Sequence, residues 1–349
     1  MPASDPRFLI IRLSSIGDIV HALPAVASLG GTFPEAEIHW VVETCHADLL
    51  AGNPFVRRLI GLDTLAWRKK LLSGNTLESI ARGLGELRKA EYDAALDFQG
   101  LYKSALIARL SRSRERIGFA EPCLREPAAG VFYTERVTPR GATHVIEMNM
   151  SLVEHLGARS VAREGWQFPL PRTEADDKYV EQRLAASGSS DFMVINPGGG
   201  WKSKSWAPEN YAELIRLLAG DIAGNFILTG SSAEEPLIRE IIRAAASPRA
   251  RYFPSTIIQF IALARRAKLF VGGDTGPQHL AAAVRTPIVA LYGPTDPARN
   301  GPFSGADITL WNRGPIDHTR RRPQSGHLSG ISVESVRAAI HQRLARAHE

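Results

Sequence analysis

The sequence predicts an α/β fold of two domains, each built on a parallel sheet. Short apolar runs rich in Ile, Val, Leu and Phe alternate with amphipathic segments along the chain. Runs without polar alternation are typical of parallel strands that helices cover on both faces. The chain has 349 residues, about twice the size of an ordinary single domain, so two hydrophobic cores are expected.

The same pattern occurs in both halves of the chain. The first half has strand-like runs at residues 8–13, 38–42, 58–62 and 94–98, with helix-like segments at 77–89 and 143–156. The second half has strand-like runs at 192–196, 226–229, 269–272 and 287–292, with helix-like segments at 208–218 and 234–246. Two rounds of alternation predict two α/β units.

A polar, proline-bearing segment at residues 158–176 indicates the boundary between the domains. The predicted domains are residues 1–170 and 171–330, with a linker helix from Thr173 to about Leu184. Ser332 is suited to cap a last amphipathic helix within residues 331–349. This helix is expected to pack back on the first domain.

Composition narrows the class of protein. Hydrophobic residues make up 44% and charged residues 22%, and no apolar run approaches the roughly 20 residues of a spanning helix. No signal-peptide pattern is evident, and Cys45 and Cys123 indicate neither a disulfide framework nor a zinc site. A cytoplasmic location is therefore expected. The 42 Lys and Arg against 36 Asp and Glu give a net charge of +6, which favours anionic partners.

The first candidate site is SSIGDIVHALP at residues 14–24, where a predicted strand turns into a helix. Gly17 allows the backbone to approach a ligand, and a helix N-terminus offers free N–H groups. Asp18 suits either a functional role or ordinary capping of the helix. The turn lacks the G-x-G-x-x-G spacing, so it does not support dinucleotide binding.

The second candidate site is NPGGGWKSKSWAPENY at residues 196–211. Three glycines after a strand leave room for phosphate, and Lys202 or Lys204 could neutralise its charge. No G-K-[ST] opens the helix, so ATP hydrolysis is not indicated. The alternative is a mobile glycine loop with solvated lysines.

The third candidate site is LFVGGDTGPQHLAAAVRTPIVALYGPTDP at residues 269–297. The Thr275 hydroxyl and the N–H groups of Thr275 and Gly276 are expected to face an anion at a helix start. His279 lies one turn further on and either joins that site or is a buried core histidine. Asp274 is also suited to cap the helix.

A fourth segment, TGSSAEEPLI at residues 229–238, starts a helix with Glu234 and Glu235. Carboxylates here are ordinary partners of the helix dipole, but one could accept hydrogen bonds from the hydroxyls of a ribose. The chain contains no Asp-x-Asp. The sequence therefore favours an enzyme that meets pyrophosphate charge without a divalent metal.

Taken in order, these motifs resemble the ADP-heptose:lipopolysaccharide heptosyltransferases, glycosyltransferase family 9, and most closely the heptosyltransferase I branch. The resemblance runs from about residue 8 to 297 and also includes D-F-Q-G-L-x-K-S at 97–104, R-E-P at 125–127 and K-x-W at 204–206. It implies a GT-B fold, in which two Rossmann-like domains with parallel sheets face each other across a cleft. It also implies that the second domain holds the nucleotide sugar and the first holds the acceptor.

The resemblance implies a role for each matching position. Asp18 would be the catalytic base and Lys204 would stabilise the departing phosphate. Donor contacts would come from Ser14, Gly17, Gly199, Gly200, Lys204, Glu234, Asp274, Thr275, Gly276 and His279. Acceptor contacts would come from Trp67, Arg68, Lys69, Lys70, Gln99, Lys103 and Arg125. Gly199 and Gly200 depart from the hydroxyl residues of that branch, which points to backbone contacts with phosphate, and the resemblance assigns no role to Arg320–Arg322.

The implied reaction is inverting, metal-independent transfer of heptose from ADP-heptose to Kdo of Kdo-lipid A, in lipopolysaccharide inner-core synthesis. The expected protein is a monomer without cofactor that contacts the anionic inner face of the inner membrane and binds no nucleic acid. Three alternatives remain open: a heptosyltransferase II-like acceptor, a GT-B-like sugar-nucleotide epimerase or hydrolase, and a non-catalytic protein that binds the lipid A surface.

Overall fold

The computed structural model describes residues 5–67, 74–139, 141–186, 188, 191–199, 205–313 and 328–346. The chain divides into two compact units, residues 1–171 and 172–349. The predicted boundary at residue 170 therefore differs by one residue. Arg68–Lys70, Gly200, Lys204 and Arg320–Arg322 lie outside the described residues.

The first unit has a six-stranded sheet in the order β3-β2-β1-β4-β5-β6. Its strands are β1 (Arg7–Ile11), β2 (Glu37–Glu43), β3 (Arg58–Leu62), β4 (Ala94–Asp97), β5 (Glu115–Phe119) and β6 (Glu135–Val137). Its helices are α1 (Ile16–Thr32), α2 (Thr64–Trp67), α3 (Gly74–Leu87), α4 (Tyr102–Leu110) and α5 (Val145–His155). Short 3-10 turns cover Thr44–Leu50, Glu121–Cys123, Pro127–Phe132 and Arg163–Gly165.

The second unit has a six-stranded sheet in the order β12-β11-β10-β7-β8-β9. Its strands are β7 (Phe192–Asn196), β8 (Asn225–Leu228), β9 (Ala250–Tyr252), β10 (Phe270–Gly273), β11 (Ile288–Tyr292) and β12 (Ile308–Trp311). Its helices are α6 (Glu174–Ala186), α7 (Pro208–Asp221), α8 (Glu235–Ala245), α9 (Ile257–Ala264), α10 (Gly276–Ala283), α11 (Pro297–Asn300) and α12 (Val333–Ala345). A 3-10 turn at Ser232–Glu234 precedes α8.

All described strand pairs in both sheets are parallel, as the unbroken apolar runs predict. The central strands are buried because helices cover both faces. Leu9, Ile11 and Val41 belong to the first core, and Ile195, Val271 and Val289 belong to the second. The eight predicted strands all form. The short edge strands β6, β9 and β12, together with β5, were not predicted.

The last helix, α12, is not packed as the sequence led us to expect. It lies in the second unit, against α7, β11 and β12, and not on the first domain. Val336 and Ile340 are fully buried in the second core, and Trp206 donates a hydrogen bond through Nε1 to the Ile331 carbonyl at 2.9 Å. The amphipathic pattern correctly predicted an apolar face and the Ser332 cap, but it could not identify the surface that this face covers.

Among the residues that the structure describes, no helix combines the length and apolarity needed to cross a bilayer.

Candidate active site

The candidate residues follow the carboxyl ends of the strands, where ligands of open parallel α/β sheets bind. In the first unit they follow β1 and its neighbour β4, and also β3 and β5. In the second unit they follow β7 and its neighbours β8 and β10, and also β11. Each unit therefore brings residues distant in sequence to one edge of its sheet.

Asp18 lies in the first turn of α1 and is held on both of its oxygens. Oδ2 accepts hydrogen bonds from the Ser15 backbone N–H (2.9 Å) and hydroxyl (3.0 Å), which form a capping box. Oδ1 forms an ion pair with Arg12 of the strand end before it. The Asp18 side chain is 42% exposed whereas that of Arg12 is 7% exposed. The capping interpretation is thus confirmed, and an oriented carboxylate still reaches solvent.

Arg12 is a residue that the sequence analysis missed. Its guanidinium also donates to the Phe98 carbonyl after β4. A charged residue within the apolar run at residues 8–13 was the available signal, because a buried charge requires a partner.

The loop after β4 is built around the buried carboxylate of Asp97. Asp97 accepts hydrogen bonds from the N–H groups of Gln99 (2.8 Å) and Gly100 (3.2 Å) and from the Tyr133 hydroxyl (2.7 Å). Burial raises the pKa of Asp97, although these hydrogen bonds oppose the shift. Burial and the neighbouring carboxyl also raise the pKa of Tyr133. The loop in turn positions Gln99, whose Oε1 accepts from the Leu13 N–H at 2.9 Å next to Ser14.

Lys103 is joined to two residues that sequence reasoning did not select. Its ammonium lies 3.6 Å from Glu43 Oε1 and donates to Thr64 Oγ1 at 3.1 Å. The Glu43 side chain is only 2% exposed, and Thr64 also donates to it. These contacts connect the ends of β2, β3 and β4, so the Lys103 ammonium has a fixed place at this edge.

The remaining predicted acceptor residues differ in their surroundings. Trp67 is half-buried, packs against the first core and donates to Ser79 Oγ at 3.1 Å. Arg125 is exposed. Arg68, Lys69 and Lys70 fall in the part of the chain that the structure does not describe.

In the second unit, the structure brings the glycine loop after β7 against Glu234. A Cβ atom added to Gly198 would lie 2.1 Å from Glu234 Oε1, so only glycine leaves room for this carboxylate. Glu234 Oε2 accepts from the Ser231 N–H and hydroxyl, both at 2.8 Å. Gly199 follows in the same loop, whereas Gly200 and Lys204 lie outside the described residues.

Asp274 is a buried carboxylate that binds three donors. They are His279 Nε2 (3.1 Å), Thr295 Oγ1 (2.8 Å) and Asn300 Nδ2 (2.9 Å). His279 is buried, and its Nε2 is in contact with Asp274. The segment after β11 is thus fixed to the turn after β10 through Thr295, which lies in the third candidate segment, and through Asn300, which sequence reasoning had not singled out.

Thr275 occupies the N-cap position of α10, and Gly276 is the first residue of that helix. The Thr275 hydroxyl lies 3.3 Å from the Gly273 carbonyl and 3.5 Å from Asn196 Oδ1. The first N–H groups of an α-helix lack intrahelical partners and carry partial positive charge. This helix start can therefore receive an anion beside the glycine loop.

The described residues contain no group of three or more His, Cys, Asp or Glu placed to hold a metal ion.

Two parallel α/β units, with glycine-rich turns and helix starts at the strand ends, are the architecture of the GT-B class of nucleotide-sugar enzymes. The family model for glycosyltransferase family 9 (heptosyltransferase) matches residues 80–327. This span is well over half of the chain, and the chain belongs to that family.

Similarity to characterised relatives extends over most of the chain. Lipopolysaccharide heptosyltransferase 1 of Escherichia coli K12 is 30% identical over 302 residues, which are 85% of this chain and 91% of the relative. Lipopolysaccharide heptosyltransferase 1 of Pseudomonas aeruginosa PAO1 is 29% identical over 311 residues, 87% of this chain and 83% of the relative. The structure of E. coli heptosyltransferase WaaC with ADP is 27% identical, has a TM-score of 0.76, and matches over 97% of this chain and 99% of that one.

Proposed function

We propose that this chain transfers L-glycero-D-manno-heptose from ADP-heptose to a Kdo residue of Kdo-lipid A, with inversion and without a divalent metal. The observation that carries the mechanism is the Asp18 carboxylate, which Arg12 and Ser15 orient while 42% of the side chain is exposed. A group held in this way is preorganised to accept a proton.

In the proposed transfer step, the Kdo hydroxyl oxygen forms a bond to the anomeric carbon of heptose, and the bond from that carbon to the β-phosphate oxygen breaks. The hydroxyl proton passes to Asp18, and ADP leaves from the opposite face. Because attack and departure occur on opposite faces, the anomeric configuration inverts.

We assign the donor to the second unit. The start of α10, with Thr275 and Gly276, is suited to the pyrophosphate because it offers free N–H groups and partial positive charge. Glu234, packed against Gly198, is suited to the hydroxyls of the ribose. The Asp274 carboxylate, which is held by three donors, contacts the sugar. Lys204 neutralises the charge of the departing phosphate.

We assign the acceptor to the first unit. Lys103 and Gln99 lie at the same sheet edge as Asp18, and both are held in place by neighbouring groups. Arg125, Trp67 and the basic residues Arg68–Lys70 supply further contacts. The carboxylate and phosphate groups of the lipid sugar are anionic, and basic side chains bind such groups well.

We further propose that the monomeric enzyme contacts the cytoplasmic face of the inner membrane through an apolar patch, defined as Leu65, Tyr102 and Val131. Their side chains are 47%, 49% and 71% exposed. Contacts of these residues or of their chain neighbours connect the three segments. Thr64, next to Leu65, accepts a hydrogen bond from Lys103, which is next to Tyr102. The centre of the Tyr102 ring lies 5.2 Å from that of Phe132, which is next to Val131. Exposed apolar side chains beside basic groups are suited to an anionic lipid surface.

The proposed function is tested by measuring ADP release from ADP-heptose with a Kdo-bearing lipid A in EDTA. The expected result is acceptor-dependent release by the wild type and a loss of about 10²- to 10⁴-fold in Asp18→Asn. Asp5→Asn, which changes an exposed carboxylate in the same unit, is the matched control and should keep full activity.

ADP binding by Asp18→Asn should match the wild type, since the groups assigned to the pyrophosphate and the ribose lie in the second unit. Release of ADP without acceptor would contradict the transferase and indicate a hydrolase. Loss of activity in EDTA that added Mg²⁺ restores would refute the metal-independent step.

A further inference from the structure

The second unit contains a basic cavity along α8 and the edge strand β9, next to the strand ends described above. Its volume is about 540 Å³, within the range of sites that bind small molecules. It lies beside β9, the edge strand that pairs only with β8. Charged and aromatic residues from α6, α8 and the β9 region line it: Arg183, Glu235, Arg239, Arg243, Arg251 and Tyr252.

The charges around this cavity are unbalanced. Four guanidinium groups face one carboxylate, Glu235, and that carboxylate already pairs with Arg239 at 2.7 Å. An excess of three positive charges therefore remains among the lining residues. Other arginines of this unit are paired, for example Arg337 with Asp221 and Arg343 with Asp307.

Aromatic rings orient two of the four arginines. The Arg183 guanidinium lies 5.4 Å from the centre of the Phe253 ring and 5.7 Å from that of Tyr179. The Arg239 guanidinium lies 5.6 Å from the centre of the Tyr252 ring. A guanidinium stacked on a ring keeps its N–H edges available for an anion, and its planar fork matches phosphate.

We propose that this cavity binds a ligand carrying at least two phosphate groups. Like charges held together repel one another, and a phosphate dianion relieves that repulsion while accepting several charge-assisted hydrogen bonds. The site follows α8 and β9 and meets the proposed donor site at Glu235, which is next to Glu234. The phosphates come either from a free small molecule or from the headgroups of an anionic lipid surface.

Calorimetric titration with inorganic pyrophosphate tests the first source. Because pyrophosphate can also occupy the proposed donor site, the wild type is compared with variants that change only the cavity. Arg243→Gln and Arg251→Gln are each expected to weaken binding about fivefold or more, the loss typical of one charged hydrogen bond. Lys178→Gln removes an exposed charge from α6 outside the cavity and should leave binding unchanged.

Co-sedimentation with phosphatidylcholine vesicles containing phosphatidylglycerol tests the second source with the same variants. Weaker vesicle binding in both arginine variants, without pyrophosphate binding, would support the cavity and identify lipid headgroups as the source. Pyrophosphate and vesicle binding that both match the wild type, or that fall equally in Lys178→Gln, would overturn the proposal.

The arginine variants are expected to stay folded, because each removes one of several like charges. Their thermal midpoints without ligand should equal or exceed that of the wild type. The KM for ADP-heptose should also be unchanged, which distinguishes failure of this site from failure of the proposed donor site.

Discussion

Arg12 and Asp18 form an ion pair in which the cation is buried and the carboxylate is partly exposed. The strand end carries the guanidinium, and the helix start carries the carboxylate six residues later. Arg12 also binds the Phe98 carbonyl. The proposed base is therefore positioned by the strand before it and by the loop after β4.

Arg12→Met is expected to lower the rate of ADP release about tenfold or more, because Asp18 loses its counter-ion and its fixed orientation. Arg12→Lys should keep most of the activity. Steady-state kinetics separate this role from a merely structural one. In Arg12→Met the kcat should fall while the KM for ADP-heptose stays unchanged, and a loss confined to KM would argue against the positioning role.

Gly198→Ala is expected to raise the KM for ADP-heptose about tenfold, because the new Cβ would lie 2.1 Å from Glu234 Oε1 and displace the carboxylate. The KM for the acceptor should not change. Gly220→Ala in α7 is the control, since nothing lies within 4 Å of its added Cβ. Equal KM values in the two variants would contradict a role for the Gly198–Glu234 contact in donor binding.

Tyr133→Phe is expected to lower the free energy of unfolding by about 1–3 kcal/mol at pH values above the folded-state pKa of Asp97, because the ionised carboxylate loses a donor. The folded-state pKa of Asp97 lies above its ordinary value, so the folded protein holds this proton more tightly than the unfolded chain. The Asp97 contribution to stability is therefore greatest at acid pH and is lost as pH rises through the folded pKa.

The loss caused by Tyr133→Phe should accordingly shrink as pH falls through the folded-state pKa of Asp97, because the carboxyl group becomes protonated. Urea unfolding over a series of pH values measures this difference. Tyr102→Phe, at an exposed tyrosine of the same unit, should show no such pH dependence. A loss that grows as pH falls would refute the assigned sign.

Thr295→Val is expected to raise the KM for ADP-heptose severalfold, because the buried Asp274 carboxylate loses the donor that fixes it to the segment after β11. Thr309→Val, on the edge strand β12, is the matched control because valine fits a strand well. Steady-state kinetics with the donor varied provides the readout. Unchanged donor kinetics in Thr295→Val would show that this contact does not shape the donor site.

Leu65→Ser and Val131→Ser are expected to weaken binding to anionic vesicles severalfold, because each removes exposed apolar area from the patch. Leu77→Ser is the control. Leu77 is also an exposed apolar residue, but it lies on α3 and is not part of the patch. Vesicle co-sedimentation at two salt concentrations measures the effect. Binding that neither variant weakens would contradict membrane contact through this patch.

Much of the fold could be predicted from the sequence because parallel central strands leave unbroken apolar runs. The edge strands β6 and β12 escaped prediction because an edge strand is short and only half covered, so β6 reads Glu-Arg-Val with no apolar run. The placement of α12 escaped for a different reason. Its apolar period predicts a buried face, but only tertiary packing decides which core that face completes.

The candidate site was predictable where a motif lies at a strand end, as for Asp18, Glu234 and Thr275. The residues that support the site could not be predicted, because Glu43 and Asn300 bind partners that are far away in sequence. A carboxylate closing an apolar strand, as Glu43 does, is the local sign that such a partner exists. The identity of the partner requires the fold.

Since α12 packs within the second unit, each unit is one continuous stretch of chain. During synthesis on a ribosome, the first unit has all of its residues once its own segment has emerged, and it can complete its core while the rest is still being translated. The second unit can complete its core only after Val336 and Ile340 have emerged, because both are buried in that core. Folding of the first unit can therefore precede folding of the second, and a chain truncated before α12 would lack part of the second core.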